Sequence, residues 1–210
     1  MRLKLLGKLV PFALLICVTL ACNLVQRFKQ EADRAKKPTV LKSADGKYQL
    51  TIPGDWREDA ALLDEAVLKA SNRANELYVI VLSESKEDFA DDVTLEKFTT
   101  LTRDAMKGNV VSPELTEPQP TSINGNPAMQ YELRGTVDSM KVAYINTTVE
   151  TTEHYHQIIA WTLRSRYDKN QGALREVTQT FKEAPGARPM VSSTPSPPPP
   201  PVQAKPKGQK

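Results

Sequence analysis

The chain has 210 residues, of which 40% are hydrophobic and 25% charged, with a formal net charge of +3; this is enough for one domain with appendages and short for two. Arg2, Lys4 and Lys8 supply the whole excess, because no acid lies among the first 21 residues and the rest balances 25 basic against 25 acidic residues. With those 21 residues removed in maturation, no global field remains to attract polyanions, which argues against a nucleic-acid partner.

The opening is a short cationic stretch followed by Leu9 to Ala21 without a charge and a small residue before cysteine, the three-part pattern of a secretory signal. A membrane-spanning helix needs roughly 20 apolar residues; this run meets Asn23 and then Gln26-Arg27 too soon, so an uncleaved anchor is the less favoured alternative. Val18-Thr19-Leu20-Ala21-Cys22 resembles the lipobox of bacterial lipoproteins, in which a peptidase cuts before a cysteine thioether-linked to diacylglycerol. Ala21 has the small side chain the cut requires, whereas Cys17 follows the branched Ile16. The pattern departs from the commonest form in having Thr19 three places before the cysteine and Leu20 one place later. Cys22 is therefore the expected lipid-attachment residue, and residues 1–21 the signal peptide. With Cys17 discarded, one cysteine remains and no internal disulfide forms.

Residues 22–38 are expected to be a lipidated tether with a net charge of +3, a sign that favours anionic headgroups. The globular part is assigned to residues 39–184, which carry 16 basic and 23 acidic residues, a net of −7. Val40-Leu41, the turn Ala44-Asp45-Gly46-Lys47 and the alternation Tyr48, Leu50, Ile52 predict a hairpin stopped by Pro53-Gly54. Residues 66–70 and 77–83 are the next extended runs, and the unbroken Tyr78 to Leu82 predicts a central strand covered on both faces. Thr94 caps a predicted helix with an apolar stripe of Leu95, Phe98, Leu101, Ala105 and Met106 and a stop at Gly108. Strands follow over 128–135, 140–150 and 155–163, the first approached through Asn124-Gly125-Asn126-Pro127, and their short links favour antiparallel pairing. A last helix is predicted from Asp168 to Lys182, burying Leu174, Val177 and Phe181 on one face. Residues 185–210, with Pro195 and the run Pro197 to Pro201, are expected to form a disordered Pro-rich tail, reaching on the order of 80 Å at about 3.1 Å per residue.

Tyr48-x-Leu-x-Ile-Pro53-x-x-Trp56, Glu65-Ala66-Val67-Leu68, the helix from Thr94, Ile123-Asn124-Gly125-x-Pro127-Ala128 and the terminal helix with Phe181 resemble the PsbP/DcrB/Mog-like superfamily over about residues 40 to 183. The resemblance implies an α+β fold, an antiparallel sheet flanked by helices in an α/β/α sandwich. It also implies a non-catalytic role, as an extrinsic subunit, assembly factor or lipoprotein. It transfers no binding residue.

The chemistry sought from the residues is sparse. His154-Tyr155-His156 places two imidazoles on one strand face with Glu150 nearby in sequence. Two histidines at i and i+2 fall short of three or four ligands, so no metal and no cofactor is assigned; a polar strand face or rim is the expected setting. Neither histidine has an identifiable serine nucleophile, no Gly-x-Ser-x-Gly occurs, and no glycine loop cradles phosphate, so no catalytic residue is assigned. The acidic run Glu87-Asp88 and Asp91-Asp92 reads as a solvated lead-in to a helix, and Trp56 and Trp161 as core. The expected function is a lipid-anchored binding or assembly module in the cell membrane or outer membrane, facing the periplasm or exterior, with an envelope protein as partner. The alternative is a metal-binding or enzymatic envelope protein using the His154/His156 strand.

Overall fold

Alternation dictates the architecture, because strands that bury both faces need a cover on each side. The computed structural model describes residues 37–183. Strands β1 (Thr39–Lys42) and β2 (Tyr48–Ile52) form the expected hairpin, with Thr39 opposite Ile52 and Lys42 opposite Gln49. Ser43 Oγ accepts from Tyr48 N, and Gly46 turns the chain at φ 73°, a conformation glycine adopts without strain. After β3 (Arg57–Glu58) come β4 (Leu68–Asn72) and the nine-residue β5 (Leu77–Ser85). On β5, Val79 and Val81 face one way and Ile80 and Leu82 the other, and all four are buried, as the unbroken apolar run requires.

Helix α1 (Leu95–Gly108) starts at Thr94, whose Oγ1 accepts from Lys97 N at 3.4 Å. Its buried face is Leu95, Phe98, Thr99 and Met106, while Leu101 is 55% exposed. The stripe is thus rotated from the expected one: positions 95, 99, 102 and 106 repeat at the helical interval and place Leu101 and Ala105 outside. Thr99 takes an inward place because its hydroxyl is satisfied at 2.6 Å from both Leu95 O and Thr148 Oγ1.

Two strands absent from the expectation follow, β6 (Val111–Leu115) and β7 (Gln119–Ile123). Both contain a proline, Pro113 and Pro120, a residue that sheets accept at their edges. They line successive halves of the outer edge of β8 (Asn126–Val137), β6 against its C-terminal half and β7 against its N-terminal half. The turn between β7 and β8 has both Asn124 and Gly125 at positive φ, 49° and 83°, as a two-residue hairpin requires. Strands β9 (Met140–Glu150) and β10 (His154–Leu163) complete a meander.

The main sheet has eight strands, all paired antiparallel, in the order β3-β4-β5-β10-β9-β8-β6 with β7 also on β8. Helix α2 (Tyr167–Gln179) buries Leu174 and Val177 against the face that carries Val79, Val81, Ile158 and Ala160. Helix α1 packs Met106 on the opposite face, with Ile80, Tyr131, Tyr144 and Ile159. This is the expected α+β fold with helices on both sides of an antiparallel sheet.

The C-terminal end differs from expectation. Helix α2 stops at Gln179, and Phe181 is buried beyond it in an extended segment that continues as β11 (Lys182–Glu183) on β2. Thr180 makes the change of direction: its Oγ1 accepts from Thr51 N at 2.9 Å and lies 3.0 Å from Thr51 O. A three-stranded sheet, β1-β2-β11, thereby shares with α2 the covering of one face of the main sheet.

Candidate functional site

Strand β10 alternates, so His154, His156, Ile158 and Ala160 share a face, and that face is the one covered by β2, β11 and α2. The histidines are not on a polar rim as the sequence suggested: they are 1% and 0% exposed. Tyr48 from β2 presents its ring to both, with centroids 6.0 Å from His154 and 5.3 Å from His156, in edge-on geometry. Phe181 closes the other side, 4.8 Å from the His156 ring centroid.

The register excludes Glu150 from this group. Glu150 pairs with Tyr155, and Val149 with His156, so Glu150 shares the opposite face with Tyr155. Its carboxylate takes the Lys86 ammonium at 2.7 Å. The acidic partner is Glu183, delivered by β11: His154 Nδ1 stands 2.7 Å from Glu183 Oε1 and His156 Nε2 3.4 Å from Oε2. The shorter contact is out of line with the ring N–H, since His154 Nδ1 has no hydrogen-bond partner among the described residues. Thr151 Oγ1 adds a polar atom 3.4 Å from His156 Nε2. The donor atoms of His154, His156 and Glu183 all lie within 4.8 Å of one another.

Burial pushes His156 below the ordinary histidine value, and the opposing pull of the Glu183 carboxylate is weaker. The ring is therefore neutral at pH 7. For Glu183, burial pushes the carboxyl up, but the two imidazoles and the Thr151 hydroxyl together outweigh it and hold the group well below the usual carboxylate range. An ionised carboxylate beside two imidazoles, with His154 Nδ1, His154 Nε2 and His156 Nδ1 all lacking hydrogen-bond partners among the described residues, is an arrangement with unused donor and acceptor capacity in a buried setting. A divalent cation that takes nitrogen and oxygen ligands fits this donor set.

Glu183 escaped the sequence reading because it lies 27 residues from His156, just past the end of a segment expected to be helix. The one signal for it is the Phe181-Lys182-Glu183 sequence, in which alternation on a short strand sets Phe181 and Glu183 on one face. Trp56 and Trp161 are buried core residues, as expected. Cys22, the expected lipid-attachment residue, lies outside the described residues, as do residues 1–36 of the leader and tether, residue 184 and the expected tail 185–210. Among the described residues no helix is long and apolar enough to cross a membrane.

No family model matches the sequence, and no curated protein matches it. Solved structures do. The solution structure of cyanobacterial PsbP (CyanoP) from Synechocystis sp. PCC 6803 aligns with a TM-score of 0.54 at 13% identity, covering 71% of this chain and 94% of that one. The crystal structure of LpqN, involved in cell envelope biogenesis of Mycobacterium tuberculosis, aligns with a TM-score of 0.52 at 14% identity, covering 71% and 91%. At such identities the shared property is the fold. The chain shares its fold with cyanobacterial PsbP and with LpqN.

Proposed function

We propose that this protein is an extracytoplasmic lipoprotein, held on a membrane surface through lipid on Cys22, whose folded head acts as a non-catalytic binding or assembly module of the cell envelope. The observation that carries the reading is the opening of the chain, an apolar stretch ending in Leu20-Ala21-Cys22 after a cationic start. The fold supports it: LpqN, which is similar in structure, is involved in cell envelope biogenesis. A diacylglyceryl thioether at Cys22 places the basic tether at the headgroups, where each cation favours anionic lipid by about 1 kcal/mol. The acidic head then stands off from the same surface. The test is intact-mass measurement of protein extracted from membranes, together with fractionation of Cys22→Ser. The expected results are a mass short of residues 1–21 and increased by lipid, and release of the serine variant from membranes. A variant processed and retained like the parent refutes the anchor.

The metal-binding alternative is favoured by one observation of its own, the convergence of His154, His156 and Glu183.

A further inference from the structure

We propose that His154, His156 and Glu183 form a binding site for one divalent transition-metal ion of the zinc type, which ties the last strand of the domain to its central sheet. The three donors come from two elements far apart in sequence: β10 in the middle of the main sheet and β11 at the edge of the three-stranded sheet. Ligand atoms of a tetrahedral ion bound at about 2.0–2.1 Å stand about 3.4 Å apart, which is the separation of His156 Nε2 from Glu183 Oε2. The trio as a whole spans no more than 4.8 Å, so rotation of the imidazoles within the aromatic frame of Tyr48 and Phe181 brings it to bonding geometry.

The chemistry of the donor set selects the ion class. Imidazole nitrogen with a single carboxylate suits zinc and its first-row neighbours, whereas calcium and magnesium require oxygen donors and copper(I) requires sulfur. Two histidines and a glutamate leave one coordination position for water or a further ligand.

The unsatisfied imidazoles distinguish this group from an ordinary buried ion pair. Three of the four imidazole nitrogens have no hydrogen-bond partner among the described residues, although buried polar atoms are normally satisfied. The carboxylate stands 2.7 Å from His154 Nδ1 but off the line of the ring N–H, so that nitrogen stays unsatisfied, and bonding to one ion opens this pair toward about 3.4 Å.

The proposal is independent of the lipid anchor, and either can fail alone. The test uses the full mature chain without a polyhistidine tag, stripped with a chelator and then offered Zn2+ or Co2+. Expected results are one Zn2+ retained per chain through gel filtration, a higher unfolding midpoint with Zn2+ than without, and d–d absorption of bound Co2+. Glu183→Gln, at the partly exposed edge of the cluster, is expected to lower retention to background while the apo variant still unfolds cooperatively. His154→Gln/His156→Gln is expected to do the same; should the double variant fail to fold, Glu183→Gln decides alone. A parent chain that retains no ion and unfolds identically with and without Zn2+ overturns the site and leaves a hydrogen-bonded clasp. Retention unchanged in Glu183→Gln overturns it equally, as adventitious binding elsewhere.

Discussion

The carboxylate of Asp59 accepts hydrogen bonds from Ser71 Oγ at 2.6 Å and from Arg73 Nε and Nη2 at 2.7 and 2.8 Å, and it is 8% exposed. It fastens the chain leaving β3 to the end of β4, at the margin of the main sheet where pairing is shortest. The Arg73 guanidinium, against the cost of burial and with help from Ser71, holds the Asp59 carboxyl below its ordinary value. A group whose folded pKa is depressed stabilises fully above its unfolded pKa, about 3.9 for aspartate, and loses that contribution as pH falls through the folded value. Asp59→Asn should destabilise the domain by about 1–2 kcal/mol at pH 7, toward the low end for a charged hydrogen bond because the Arg73 side chain is half exposed. The gap in urea midpoint between parent and variant is expected to hold steady from pH 7 to about 5 and to close below about pH 4. A gap that persists unchanged at pH 3 means that the charge of Asp59 contributes nothing and packing alone is at stake.

Among the elements, two glycines make opposite predictions. Gly135 in β8 lies under the start of β6, where an added Cβ would stand 2.2 Å from Val110 Cγ1 and 2.9 Å from the Val111 carbonyl oxygen. The second of these is backbone and cannot turn aside, so Gly135→Ala should push β6 off the sheet edge at a cost of about 1–3 kcal/mol. Gly172 sits inside α2, and a Cβ there meets nothing within 4 Å; Gly172→Ala should stabilise by about 0.5–1 kcal/mol. Chemical denaturation of both variants checks the pair, and a Gly135→Ala variant as stable as the parent would show that β6 is not pinned there. The strip of chain around Gly135 also explains what the sequence concealed. Alternation at Tyr48, Leu50 and Ile52, the double-faced run Tyr78 to Leu82 and the Asn124-Gly125 turn were legible, because local sterics and burial act within a few residues. Strands β6 and β7 were not: Pro113 and Pro120 argue against a strand, and their exposed, edge positions leave no apolar alternation to read. Leu101 was misread for the converse reason, since Thr99 satisfies its hydroxyl internally and takes the inward place an apolar residue was expected to hold.

Across the whole molecule, closure depends on contacts remote in sequence. The meander β8-β9-β10 builds from local hairpins, but β5 must find β10 and β11 must find β2, pairings whose loop-closure entropy is lost before they reward the chain. The candidate site sits at the second of these closures. That is why half of it was legible: the i, i+2 histidines declare a shared face, whereas Glu183 joins them only after α2 has ended and Thr180 has bound β2. Truncation separates this closure from the Pro-rich segment. A chain ending after Glu183 keeps every described contact and should unfold within about 0.5 kcal/mol of the full chain. A chain ending after Gln179 loses the Thr180 bonds to Thr51, the Phe181 ring against Tyr48 and His156, and the carboxylate between the imidazoles. Deleting a buried phenylalanine alone costs about 3–5 kcal/mol, a large part of the about 5–15 kcal/mol that holds a domain. Equilibrium unfolding of the two truncations should therefore differ by at least about 3 kcal/mol; equal stability would mean that β1-β2-β11 is an ornament on a sheet that closes without it.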